Sequence, residues 1–306
     1  MSKRKRTRSR VGGSLEGPQT ATPKHKFGLI PVNNLTYGNP DAEQNLILQK
    51  EGQFDYIANH FMDKPYPNND GNYAKEEIKK ILSEMGNLAH SKVVELSLKF
   101  DEDLNTVMME TAQKCGVGEP EKFVRELVTD ISGIIMNLKY HYNRIRPFQL
   151  SNVYGINLSP MPSCSANSPS YPSGHTLESR VFAEILSFRY PEHQDMLKKF
   201  AEKCAMSRII LGLHFPSDNV FALQVSAAIL KDKNFRGKYL NVKKINEESN
   251  TQNQNSRPVS NHQGPTSGGN WSQEEIFGGM PETTKVDSNF NESEVFGGIP
   301  IQPGNR

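Results

Sequence analysis

Long hydrophobic runs are missing from this sequence of 306 residues. No apolar stretch approaches the roughly 18 to 20 residues that a bilayer crossing requires, which argues against an integral helical membrane protein. Cysteine is scarce: Cys115, Cys164 and Cys204 are an odd number without paired or metal-like spacing. They fit small core or loop positions in a reducing compartment better than a disulfide framework. An excess of one charge is also absent. With 36 basic and 34 acidic residues the net charge is +2, so the molecule as a whole is not an electrostatic nucleic-acid binder. Hydrophobic residues make up only 35% of the chain and the mean hydropathy is −0.63, low values that leave part of the length outside any core. Finally, no segment alternates apolar and polar residues with period two, and without that pattern helices are the expected elements.

What is present is unevenly spread. Residues 1–26 hold Lys3, Arg4, Lys5, Arg6, Arg8 and Arg10 among Gly, Ser, Thr and Pro, and are expected to be a disordered arm. Such an arm suits either a solvated tail without a dedicated partner or contact with nucleic acid or an anionic surface. It resembles the basic start of a signal peptide, but no hydrophobic segment or small-residue cleavage site follows, so a cytoplasmic rather than a secreted protein is expected. Residues 246–306 are rich in Asn, Gln, Ser and Gly and are expected to be a second disordered tail. Within it Glu275-Ile276-Phe277-Gly278-Gly279-Met280-Pro281 returns as Glu294-Val295-Phe296-Gly297-Gly298-Ile299-Pro300. Two copies suit short docking motifs for a protein partner, centred on Phe277 and Phe296, or a chance duplication in biased sequence.

The span between, 27–245, carries helical periodicity and is long enough for one full-sized domain. Ile47, Leu48, Phe54, Ile57 and Phe61 suggest a first helix within 40–61. Between 74 and 99, Ile78, Ile81, Leu82, Met85, Leu88, Val93 and Leu96 recur at three- and four-residue steps, the mark of one amphipathic helix. Another begins at Pro120 and delivers Lys139 at its C-terminal end. A Ser-, Pro- and Asn-rich loop is expected at 151–172, followed by helices at about 174–190, 192–213 and 216–232. The predicted fold is all-α, a helical bundle.

Three short segments concentrate groups suited to an oxyanion: Lys139 with Arg146-Pro147, then Pro172-Ser173-Gly174-His175, then Ser207-Arg208 with His214 and Asp218. Each has an ordinary explanation. Lys139 and Arg146 can cap a helix end and pair with surface carboxylates, and Ser173 can be a helix cap. The sharper explanation is a phosphate cradle, since a helix N-terminus offers unpaired N–H groups and a favourable dipole, and Gly permits close approach. Asp218, four residues after His214, is placed to accept a hydrogen bond from Nδ1–H and leave Nε2 as a nucleophile. The sequence offers no acidic cluster or His-x-x-x-His spacing for a metal. His25, His60, His90, His141, His193 and His262 are read as structural.

Together the segments read K-x6-RP, PSGH and SR-x5-H-x3-D. They resemble the signature of the type 2 phosphatidic acid phosphatase and vanadium-dependent haloperoxidase superfamily, and 170–176 and 207–218 resemble its soluble bacterial acid phosphatases most. The resemblance covers residues 130–232 and implies a helical bundle for the upstream part as well. It implies that Lys139, Arg146, Arg208, Ser173 and the Gly174 amide hold phosphate, that His214 attacks phosphorus, and that His175 protonates the leaving group, with Asp218 orienting His214. The implied activity is hydrolysis of a soluble phosphate monoester without metal or cofactor, with vanadate as an inhibitor. Two other functions stay compatible with the same residues: a vanadate-dependent haloperoxidase, usually a considerably longer chain, and an assembly protein that keeps the fold.

Overall fold

The computed structural model describes residues 31–86 and 92–241. In chain order these residues form α1 (Ala42–Gln49), α2 (Tyr56–Asn59), α3 (Asn72–Gly86), α4 (Lys92–Glu102), α5 (Leu104–Lys114) and α6 (Pro120–Tyr142). They continue with α7 (Pro147–Val153), α8 (Gly174–Arg189), α9 (Gln194–Ile210), α10 (Pro216–Lys231) and α11 (Lys233–Tyr239). Among the described residues there is no β-strand, and the expected all-α class holds. The basic arm, the polar tail with Phe277 and Phe296, and His25, His90 and His262 lie outside the described residues. No helix among the described residues is long and apolar enough to cross a membrane.

Three expectations about the elements need correction. The helix expected at 40–61 is two helices, because the Asp55 side chain captures the Gly52 amide at 2.9 Å and offers the backbone a turn in place of the helical ladder. The stripe at 74–99 is shared by α3 and α4, with α3 ending at Gly86, a poor helix former. The helix expected at 192–213 stops at Ile210, before the Gly212 turn. Helices α5, α7 and α11 were not legible; α5 opens on Asp103, whose carboxylate accepts the Thr106 amide at 3.0 Å.

Helix α8 is the centre of the bundle, packed against α9, α10, α6 and α5, while α4 flanks α9. Its Phe182 meets Phe200 of α9 with ring centroids 5.5 Å apart, and Phe200 meets Phe100 of α4 edge-on at 5.7 Å. These tilted aromatic contacts, with Leu127, Ile131 and Leu138 of α6, fill the main core. A second cluster, Ala74, Ile78 and Ile81 of α3 with Ile145, Leu150, Ile209 and Phe215, lies where α3 packs on α9 and α7. The connections α6–α7 and α9–α10 both contribute to this second cluster, through Ile145 and Phe215, and both carry site residues.

Candidate active site

Each of the three segments is built around a helix terminus, and the geometry of the terminus explains the spacing. Lys139 lies in the last turn of α6, which ends on Asn143 in the left-handed conformation (φ 48°). The Asn143 amide clasps Gly38 in both directions, at 3.1 and 3.0 Å. Arg146, held extended by the proline after it (ψ 157°), is the N-cap of α7. Lysine and arginine therefore approach one point from two sides of a turn.

At the third segment α9 closes with a Schellman motif: Leu213 N–H meets Arg208 C=O at 3.0 Å and Gly212 N–H meets Ile209 C=O at 2.9 Å. Gly212 has φ +74°, and a Cβ there would come within 3.1 Å of Met85 Sδ and 3.3 Å of the Pro160 backbone, so only glycine fits. His214 follows directly, and Phe215 and Pro216 open α10. Asp218, third residue of that helix, reaches back to the Phe215 amide at 2.8 Å. The same carboxylate oxygen, Oδ2, lies 3.2 Å from His214 Nδ1.

His214 Nε2 lies 3.1 Å from Arg146 Nη1. A guanidinium only donates, so Nε2 carries the lone pair and Nδ1 carries the proton given to Asp218. Arg146 also donates to the Ser168 carbonyl (2.9 and 2.7 Å) and the Leu213 carbonyl (2.9 Å), and Lys139 Nζ donates to Pro169 C=O. Arg208 pairs with Asp101 at 2.9 Å. Lys139, Arg146 and Arg208 are 4%, 1% and 1% exposed, which rules out the explanation of solvated surface cations.

The N-terminus of α8 faces the same place. The Leu177 amide, bonded to Ser173 C=O at 3.1 Å, begins the helical ladder, so the Gly174 and His175 amides precede it. A Cβ on Gly174 would lie 3.7 Å from the Lys139 stem. Ser173 stands at the N-cap position of α8, but the ordinary explanation of its side chain as a cap does not hold. Its hydroxyl lies 2.8 Å from Thr176 Oγ1, which donates to Asn219 at 2.8 Å.

The electrostatics follow from burial among like charges. Desolvation, reinforced by Arg146, holds Lys139 well below its ordinary range, and desolvation brings Arg146 down to about 10. His175 and His214 are both held well below 6.5, first by burial and then by Arg208 and Arg146 respectively. Burial pushes the Asp218 carboxyl up to about 6, against the opposing pull of Arg144. Among the described residues no group of three or more His, Cys, Asp or Glu is arranged to hold a metal ion.

Four ionisable residues of this region were not singled out in the sequence. Asp101 of α4 accepts from Arg208, from the Ser163 and Ser165 hydroxyls (2.8 and 2.6 Å) and from the Cys164 amide (3.0 Å), pinning the 154–173 loop to the site. Burial opposes its ionisation, but Arg208 and the serines outweigh that and bring it down to about 2. Glu178, one turn beyond His175, feels Lys139 and Arg208, and burial raises its carboxyl to about 7. Arg144, fully buried, pairs with Asp218 at 2.6 Å and with Glu77 of α3 at 3.2 Å. The signal for Asp101 and Glu77 is a charged residue on an otherwise apolar face: Glu77 falls between Ala74 and Ile81, Asp101 four residues after the buried Ser97. His141, by contrast, bonds the Met62 carbonyl at 2.7 Å and packs edge-on against Tyr142, a structural role.

Residues 127–231 match the PAP2 superfamily. The chain is also similar to non-specific acid phosphatases: 36% identical over 101 residues to that of Providencia stuartii, covering 33% of this chain and 40% of the relative. Those of Salmonella typhi and Salmonella typhimurium are each 36% identical over 80 residues, covering 26% of this chain and 32% of theirs. The chain thus spans two fifths or less of the length of these curated relatives. The segment that matches the PAP2 superfamily contains Lys139, Arg146, Ser173, Gly174, His175, Arg208, His214 and Asp218, so all eight residues singled out in the sequence fall inside the region of similarity.

Proposed function

We propose that the protein is a metal-independent phosphomonoester hydrolase working through a phosphohistidine. The observation that carries this reading is the polarity of His214. Its Nδ1 is tied to Asp218, and its Nε2 lone pair faces Arg146 within a group of three buried cations. A buried cationic cluster is costly alone and favourable around a phosphate dianion, whose charge offsets both the desolvation and the mutual repulsion that depress Lys139 and Arg146. Guanidinium groups meet phosphate oxygens bidentately, and the first-turn amides at Gly174 and His175 add donors.

In the first step Nε2 of His214 forms a bond to phosphorus as the ester P–O bond breaks. The electron pair leaves on the ester oxygen, which takes a proton from His175. Water then attacks phosphorus, gives its proton to His175, and the P–N electron pair returns to His214. Lys139, Arg146 and Arg208 supply the positive charge that spreads over the equatorial oxygens. Burial and the neighbouring cations lower the proton affinity of both histidines, which favours an unprotonated His214 nucleophile and calls for acid pH to supply the protonated form of His175. The three unpaired cysteines suit a reducing, cytoplasmic setting.

The test is a screen of nucleotides, sugar phosphates, pyrophosphate-type anhydrides and soluble lipid phosphates in the presence of EDTA. Hydrolysis that survives chelation and is inhibited by vanadate is expected. Activity lost in EDTA and restored by a divalent ion contradicts the reading, and halide oxidation with vanadate and peroxide instead of hydrolysis replaces it.

A further inference from the structure

Behind Asp218 stands a chain of charges that the proposed chemistry does not use. Arg144 Nη1 donates to Asp218 Oδ1 at 2.6 Å, while Oδ2 is engaged by His214 and the Phe215 amide. The same Nη1 donates to Ser217 Oγ at 2.8 Å, and Nη2 donates to Glu77 Oε2 at 3.2 Å. Glu77 in turn accepts from the Ser217 amide at 2.7 Å and its hydroxyl at 2.9 Å. The Arg144 guanidinium lies 4.0 Å above the Phe215 ring. Arg144 is 0% exposed, Asp218 0% and Glu77 6%, so this is a buried carboxylate–guanidinium–carboxylate line ending on His214.

A line of this kind is a poor device for stability, since an apolar replacement of similar volume is often as stable. Its geometry is selective for something else: each oxygen of Asp218 has its own donors, so the carboxylate cannot rotate without breaking bonds on both sides. We infer that Arg144, backed by Glu77, is a positioning residue that holds the Asp218 carboxylate ionised and aimed at His214. This inference rests on the phosphohistidine reading above. The two carboxylates and one guanidinium leave a single surplus negative charge, the complement of the cationic imidazole ring that exists while His214 carries the phosphoryl group.

The groups that act on Asp218 come from several elements. Arg144 lowers its proton affinity; Glu77 of α3 raises it. His214 lies on its other oxygen, Lys139 and Arg146 share its field from the phosphate side, and Tyr171 and Tyr73 border Arg144 and Ser217. Removing Arg144's charge and removing Glu77's charge therefore shift Asp218 in opposite directions.

The experiment measures kcat and KM against pH for p-nitrophenyl phosphate in Arg144→Gln, Arg144→Lys and Glu77→Gln, with Glu178 present and as Gln so that its titration is told apart. Arg144→Gln is expected to lose roughly 10²-fold in kcat with little change in KM, and its acid limb to move up by about one pH unit or more. Glu77→Gln moves that limb down, and Arg144→Lys restores most of the limb position because it keeps the charge. Unchanged vanadate inhibition in each variant shows the phosphate pocket intact. If Arg144→Gln does not fold, the opposed Glu77→Gln shift and the Arg144→Lys profile still decide. Equal losses at all pH with limbs unmoved overturn the inference. So does Arg144→Lys behaving as Arg144→Gln. A phosphoenzyme persisting in His214→Ala would instead overturn the reading beneath it.

Discussion

Asp101 and His175 illustrate two kinds of dependence at the level of single residues. Asp101 is 5% exposed and faces Arg208, so Asp101→Asn leaves a buried guanidinium without its counter-ion, a change that costs about 3–5 kcal/mol of stability. The carboxyl is lowered from 3.8 to about 2, so its contribution is complete above pH ~4 and is lost as the pH falls through about 2. Thermal melts should therefore show a Tm gap between wild type and variant that is constant from pH 7 to 4 and closes only below that. A gap that closes at pH 5 contradicts the pairing. For His175, the proposed general acid, the leaving group decides. An alkyl ester departs as a basic alkoxide and needs the proton, whereas p-nitrophenolate scarcely does. His175→Ala should lose roughly 10²–10⁴-fold on the alkyl ester and much less on p-nitrophenyl phosphate. Equal losses on both esters reject the assignment.

At the level of elements, the candidate site is a set of helix termini, so its spacings follow local backbone rules, while the roles given to its residues in the sequence came from the family resemblance. K-x6-RP is a helix end, a left-handed Asn143 and a pre-proline N-cap; SR-x5-H-x3-D is a Schellman turn followed by a helix whose third residue reaches back. Local backbone rules fix these spacings, and local rules are legible in one sequence. Ser173 was legible as a position and not as a partner, since its hydroxyl turns to Thr176, which depends on where α10 brings Asn219. The break between α1 and α2 was hidden for the same kind of reason: a side-chain capture at Asp55 overrides an apolar pattern. Gly212 tests the turn. Gly212→Ala combines a left-handed φ with contacts at 3.1 to 3.3 Å, and should destabilise the protein by about 2–4 kcal/mol in chemical denaturation. A loss under half a kcal/mol would mean that the turn is not what holds His214.

At the level of the whole molecule, the residues invisible in sequence are those contributed by long-range packing. Glu77 and Asp101 belong to α3 and α4, outside the 127–231 segment, yet they provide the counter-ions of Arg144 and Arg208. The packing of α4 against α9, and of α3 against α7 as well as α9, is what brings them to the arginines. The upstream helices are thus part of the charge balance of the site, and not merely a support for it. In the proposed mechanism that balance lets an unprotonated His214 attack phosphorus and carry the phosphoryl group. The most direct measurement is to mix enzyme with a 32P-labelled phosphate ester, quench in alkali, where phosphohistidine persists, and quantify label bound to protein. Wild type should carry an alkali-stable, acid-labile phosphoryl group, and His214→Ala none. Label retained in His214→Ala, or wild-type label stable to acid, would contradict the account.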